Sequence, residues 1–137
     1  MKRILIVDDE PSILLGICHA LRGRRHEWEP ILALDTEEAC ARMAGGDISV
    51  LICDLAMPGG GGEVVLRHAR DNYPHIPRIV LSGKMMDITY AKMAIPLAHR
   101  FLEKPCPAET LQATIDWVIA VHPEELPPPL PVETDGH

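Results

Sequence analysis

Four short apolar runs each end in a polar residue able to take part in chemistry. "ILIV" runs into Asp8, Asp9 and Glu10; "VLIC" ends at Asp54; "RIVL" ends at Ser82; "RFLE" is followed by Lys104. If Asp8, Asp9 and Asp54 converge, their mutual repulsion raises their pKa values unless something positive sits among them. A hard divalent cation resolves the conflict, and Mg²⁺ (or Mn²⁺) suits it, taking a few carboxylate and carbonyl oxygens and keeping waters that a phosphate can replace. Lys104 and the Ser82 hydroxyl add donors for phosphoryl oxygens. Asp54 is the carboxylate best placed to act as both metal ligand and nucleophile, because attack on phosphorus gives an acyl phosphate.

Convergence requires elements that deliver these residues to one place. Strands are expected over 3–8, 29–34, 48–53, 78–82 and 99–103, and helices over 11–22, 36–44, 62–73, 86–95 and 108–121. Pro11 stands in the first turn of its helix, and Asp35 with Glu38 forms a capping-box pattern before the next. The third strand is the most continuously apolar and is expected at the centre of the sheet, covered on both faces. Five βα repeats imply a parallel sheet with helices on both faces. In such sheets the carboxyl ends of the strands open on one edge, where ligands bind. Residues 1–122 are expected to form this one domain. Residues 123–137, "PEELPPPLPVETDGH", read as a proline-rich linker or tail.

The 137 residues suffice for one domain, and the 47% hydrophobic and 24% charged fractions are those of a soluble globular chain. With two Trp, two Tyr and one Phe, the core must be mainly aliphatic. A net charge of −7 argues against nucleic-acid binding, since Arg22, Arg24 and Arg25 make only a short cluster. Cys18, Cys40, Cys53 and Cys106 have no ligand-like spacing, and the seven histidines are scattered, which favours surface or capping roles for them. No run approaches the ~20 apolar residues of a membrane span, and the start is too short for a signal peptide, so a cytoplasmic location is expected.

"ILIVDDEP", "DLAMPGGGG", "IVLSG" and "FLEKP", in this order and spacing, resemble the receiver domain of two-component response regulators over roughly residues 1–121. The resemblance implies a flavodoxin-like (βα)5 fold of strand order 2-1-3-4-5, an order that the general rule for such sheets already illustrates with a receiver. It implies Asp54 as phosphoacceptor, Asp9 as direct Mg²⁺ ligand, Asp8 holding the metal through water, and the Ala56 carbonyl as a further ligand. Ser82 and Lys104 match the residues that grip the phosphoryl group, and Phe101 falls at the aromatic switch position. Pro105 matches a proline that usually follows a cis bond. The implied partner is a sensor histidine kinase or histidine phosphotransfer protein, with a homodimer through the last helix as a further possibility. The implied activity is acceptance of a phosphoryl group, not turnover of an external substrate.

Some features depart from the family pattern. Gly59-Gly60-Gly61-Gly62 replaces bulkier and acidic residues, and looseness before the third helix is the expected meaning. Ala56 offers no polar side chain near the acceptor. Pro96 is expected to end the fourth helix early. "RHEWE", "RIVLSGK" and "PLAHRFLEKPC" are similar to receivers joined to HD-type output domains. Two rival functions differ in class. An aspartyl-phosphate phosphatase would need a second acid two residues after the nucleophile, where Ala56 stands; a degenerate interaction module would not need the five site residues.

Overall fold

The computed structural model describes residues 1–57, 61–83, 92 and 95–121. Five strands, β1 (Lys2–Val7), β2 (Trp28–Ala33), β3 (Ile48–Asp54), β4 (Arg78–Ser82) and β5 (Arg100–Glu103), form one sheet in the order β2-β1-β3-β4-β5. Every neighbouring pair is parallel. The helices are α1 (Pro11–Ala20), α2 (Thr36–Ala44), α3 (Gly61–Asn72) and α4 (Ala108–Ala120), with 3-10 turns at Arg22–Arg24 and Ile95–Leu97. The helix expected over 86–95 falls outside the described residues except at Lys92 and at Ile95, which opens a 3-10 turn containing Pro96. The expected tail over 123–137 lies outside them too. Elsewhere the observed bounds lie within two residues of the expected ones.

Alternation along the strands divides the core into two layers. Ile4, Ile6, Val50, Ile52, Ile79 and Leu81 meet Leu14 and Ile17 of α1 and Leu111, Ile115 and Val118 of α4. Leu5, Val7, Leu51, Cys53 and Val80 face the other way, onto Ala39 and Met43 of α2 and Val65, Leu66 and Ala69 of α3. Each fully buried aliphatic side chain contributes roughly 1.5–3 kcal/mol. The central strand β3 is buried from Val50 to Asp54, so the Asp54 carboxylate is carried at the end of a continuously buried segment.

Local sequence sets the helix starts. Asp35 caps α2 by accepting from the Glu38 N–H at 2.8 Å, and the Glu38 carboxylate accepts from the Leu34 N–H at 2.8 Å, one residue earlier than in the usual box. No side chain caps α1; Glu10 occupies its N-cap position and Pro11 follows. Beyond α1, the Arg24 guanidinium binds Glu27 at 2.6 Å and Asp116 of α4 at 2.7 Å, and lies 4.1 Å from the centre of the Trp28 ring. This ties the connection into β2 to the last helix.

At the opposite edge from Asp54, His99 corrects the expectation of a surface or capping histidine. It is 7% exposed, and its Nδ1 accepts from the backbone N–H of Arg78 at 3.1 Å. Burial, with Arg78 and Arg100 nearby, pushes its pKa down to about 4. The unfolded chain therefore binds a proton from pH ~6.5 downward that the folded chain refuses until about pH 4. Stability is full above pH ~6.5 and is lost as pH falls through that window, by about 2 kcal/mol from this residue at pH 5. Urea unfolding of wild type and His99→Asn at pH 8 and pH 5 checks this: the variant is expected to lose less stability on acidification, and equal losses would contradict it.

Candidate functional site

Register brings the polar residues together. Val7 is paired with Cys53, which places Asp8 beside Asp54, and Asp54 is paired with Leu81, the residue before Ser82. Ser82 is paired with Glu103, and its carbonyl accepts from the Lys104 N–H at 2.7 Å. Asp8, Asp54, Ser82 and Lys104 thus meet at the carboxyl edge of β1, β3, β4 and β5, as the strand ends predicted.

Two of the carboxylates are buried: Asp8 is 1% and Asp54 3% exposed. Lys104 Nζ lies 2.8 Å from Asp8 Oδ2 and 3.1 Å from Asp54 Oδ1, so one ammonium serves both. Asp8 Oδ1 also accepts from the Glu10 N–H at 2.9 Å, and Asp54 Oδ1 from the Ala56 N–H at 3.1 Å. Burial and the neighbouring Asp8 charge still hold the Asp54 pKa above the ordinary carboxylate value, against the opposing pull of Lys104. For Lys104, burial pulls downward, but the hydrogen bond to Asp8 and the charge of Asp54 prevail and its pKa is raised. The site therefore holds strained negative charge that a single lysine only partly offsets.

Asp9 is exposed, and Ala56 is exposed beside Asp54. Among the described residues, the acidic set whose oxygens lie within 4.8 Å of one another is Asp8, Asp9 and Glu10. Asp54 stands outside that trio and is joined to it through Lys104. Glu10 is a candidate that sequence reasoning passed over, although it follows the two aspartates directly. The donor set is made of hard carboxylate oxygens, which fits Mg²⁺ or Mn²⁺. Phe101 is half-buried and packs on the α2–α3 side of the sheet. The Lys104–Pro105 peptide bond is cis.

The glycine run is corrected at its second half. Gly61 and Gly62 are buried in the first turn of α3, so they are not a loose loop. A Cβ on Gly62 would overlap the Asp54 carbonyl oxygen and lie 2.7 Å from the Leu55 carbonyl oxygen and 2.8 Å from Leu55 Cα. Lacking a side chain, this residue lets α3 start directly against the acceptor's own backbone. Gly59 and Gly60 lie outside the described residues. The signal available in the sequence was a poor helix former at a helix start.

The response regulator receiver domain family matches residues 4–116. The chain is 27% identical to the sensor kinase CckA of Brucella abortus over 113 residues, and 29% identical to the sensor histidine kinase TmoS of Ectopseudomonas mendocina over 121 residues. These matches cover 82% and 87% of this chain but 12% of each kinase, so the chain spans a small part of those relatives. Its fold superposes on the crystal structure of a response regulator receiver domain protein from Clostridium thermocellum with a TM-score of 0.76 and 30% identity, covering 87% of this chain and 94% of that one. A buried pair of strand-end aspartates sharing one lysine, on a 2-1-3-4-5 sheet matched along most of its length, has one consistent assignment: the chain belongs to the response regulator receiver domain family.

Proposed function

We propose that Asp54 accepts a phosphoryl group from the phosphohistidine of a sensor kinase or phosphotransfer protein, in a reaction that depends on Mg²⁺ or Mn²⁺. The observation that carries this reading is the Lys104 ammonium held between Asp8 and Asp54, at 2.8 and 3.1 Å. That geometry sets a positive charge against the buried acceptor and favours its ionised, nucleophilic form against burial and the Asp8 charge, and the ionised carboxylate needs no base to attack. Asp9 would hold the metal directly, Asp8 through water, with Asp54 and the Ala56 carbonyl completing the set. A bound divalent cation would supply charge neutralisation between nucleophile and phosphoryl oxygens.

In the reaction, one Asp54 oxygen forms a bond to phosphorus while the bond from phosphorus to the donor nitrogen breaks, and the donor imidazole keeps the electron pair. Lys104 turns from Asp54 toward the new phosphoryl oxygens, which carry close to two negative charges. Ser82, one residue past the partner of Asp54 in β4, donates its hydroxyl to the same group. Phe101, two residues before Glu103, the partner of Ser82 in β5, then shifts between half-buried and more buried positions. The effect is a population shift limited by the difference in phosphate contacts between the two states. Receiver domains partner with histidine kinases; which kinase this one meets, and what it controls, belong to the whole protein.

Incubation of the protein with acetyl phosphate and Mg²⁺ is expected to add one phosphoryl group, seen by intact mass, and beryllofluoride is expected to shift the Ala56, Ser82 and Lys104 amide signals. No adduct and no shift would overturn the reading. Sustained release of phosphate from many phosphomonoesters would favour the phosphatase class instead. Neither tryptophan serves as a reporter near the site: Trp28 opens β2 and Trp117 stands in the last turn of α4, both at the far edge of the sheet.

A further inference from the structure

The backbone of the acceptor meets the start of α3 at a node of three residues, Cys53, Asp54 and Gly62. The place that a methyl on Gly62 would fill is already taken by the Asp54 and Leu55 carbonyls. The Asp54 and Gly62 carbonyls both reach Cys53, whose Sγ lies 3.4 Å from the first oxygen and 3.8 Å from the second. Cys53 is fully buried, in the layer that β3 shares with α2 and α3.

A buried carbonyl left without a donor costs free energy. The β1–β3 ladder ends at the Val7–Cys53 pair, one residue short of the Asp54 carbonyl. Among the described residues, the donor that reaches this oxygen is the Cys53 thiol. A thiol suits the position twice over, packing as a small hydrophobe and still offering one weak donor. It keeps its hydrogen, because burial and the charges of Asp54 and Asp8 push its pKa up.

We propose that Cys53 is a positioning residue for the acceptor: its thiol hydrogen holds the Asp54 carbonyl against the first turn of α3 and so fixes the direction of the carboxylate. This rests on the reading of Asp54 as the phosphoacceptor. One Cα carries both the carbonyl and the carboxymethyl group. The carboxylate is held at its tip by Lys104 and the Ala56 N–H, and at its root by the thiol. Without that hydrogen the Asp54–Leu55 peptide is free to turn, and attack on phosphorus tolerates little misplacement. An S–H···O bond is weak, so its loss is expected to slow uptake about fivefold and not to abolish it.

The test compares wild type, Cys53→Ser and Cys53→Ala, two replacements of similar size of which serine alone brings a donor. Initial rates of uptake from acetyl phosphate and Mg²⁺ are read by intact mass and normalised to the folded fraction from urea melts. Serine is expected to stay within about twofold of wild type and alanine to fall about fivefold. Equal rates in the two variants, or a slower serine, would assign Cys53 to packing and overturn the proposal. The wild-type minus Cys53→Ala infrared spectrum gives a second measure that needs no phosphorylation. Its S–H stretching band is expected below the frequency of a free thiol, and a band at the free-thiol position would equally overturn the proposal. Wild type that takes up no phosphoryl group would sink the reading of Asp54 itself, an outcome distinct from either of these.

Discussion

Asp54→Asn is expected to take up no phosphoryl group from acetyl phosphate and Mg²⁺, yet to unfold at the same urea concentration as wild type or a higher one. The loss of uptake follows from the chemistry, since an amide is not a nucleophile toward phosphorus and Asp8 is committed to Lys104 and the Glu10 N–H. The stability argument weighs three effects. The substitution removes the Asp54–Lys104 contact at 3.1 Å, but Lys104 retains the shorter contact to Asp8 at 2.8 Å. It also removes the burial cost and the repulsion from Asp8, which together outweigh Lys104 in setting the Asp54 pKa. The amide oxygen can still accept from the Ala56 N–H. Relief should match or exceed loss, giving a change between zero and about 1 kcal/mol of stabilisation. Intact mass and urea melts at pH 7.5 test both halves; a variant that takes up phosphoryl, or one destabilised by several kcal/mol, would contradict the description of the site.

Gly62→Ala should act in the opposite sense, costing about 3 kcal/mol of stability. The new methyl meets the Asp54 and Leu55 backbone, which no rotamer change can move aside. Relief requires α3 to back away from β3 or the Asp54 peptide to tilt. Either displacement moves the acceptor, so the rate of uptake from acetyl phosphate should fall as well, in protein still folded at low temperature. Unfolding midpoints together with uptake rates in wild type and variant measure both. A neutral effect on stability would mean that the first turn of α3 has room that the geometry denies it.

Much of this was readable from residue order. The near-continuous apolar run "ISVLIC" marked a central strand covered on both faces, which the two core layers reproduce, and Asp35 with Glu38 marked a helix start that the hydrogen bonds reproduce. The convergence of Asp8, Asp54, Ser82 and Lys104 followed from strand ends alone, because parallel strands deliver their last residues to one edge. Features depending on distance across the fold were not readable. The requirement at Gly62 comes from a contact with a residue eight positions earlier, and a glycine run looks the same whether it is slack or crowded. Arg78 opens a strand, where a charged residue usually reaches water; instead its guanidinium donates to the Leu97 carbonyl at 2.7 Å and the Ile76 carbonyl at 3.2 Å. Its burial lowers its pKa to about 10. Nor did sequence show that Lys104 would bridge the two aspartates, since side-chain reach is set by register.

Arg78 and Lys104 together make a strut of β5. At its foot, Arg78 grips the carbonyl of Leu97, three residues before the strand, and the Arg78 carbonyl accepts from the His99 N–H at 2.8 Å. At its tip, Lys104 is fastened to Ser82 and to both aspartates. A strand of four residues is only about 13 Å long, too short to absorb a displacement by bending. On the proposed phosphorylation of Asp54, a pull on the lysine would then act on a strand anchored at both ends, with Phe101 between the two anchors.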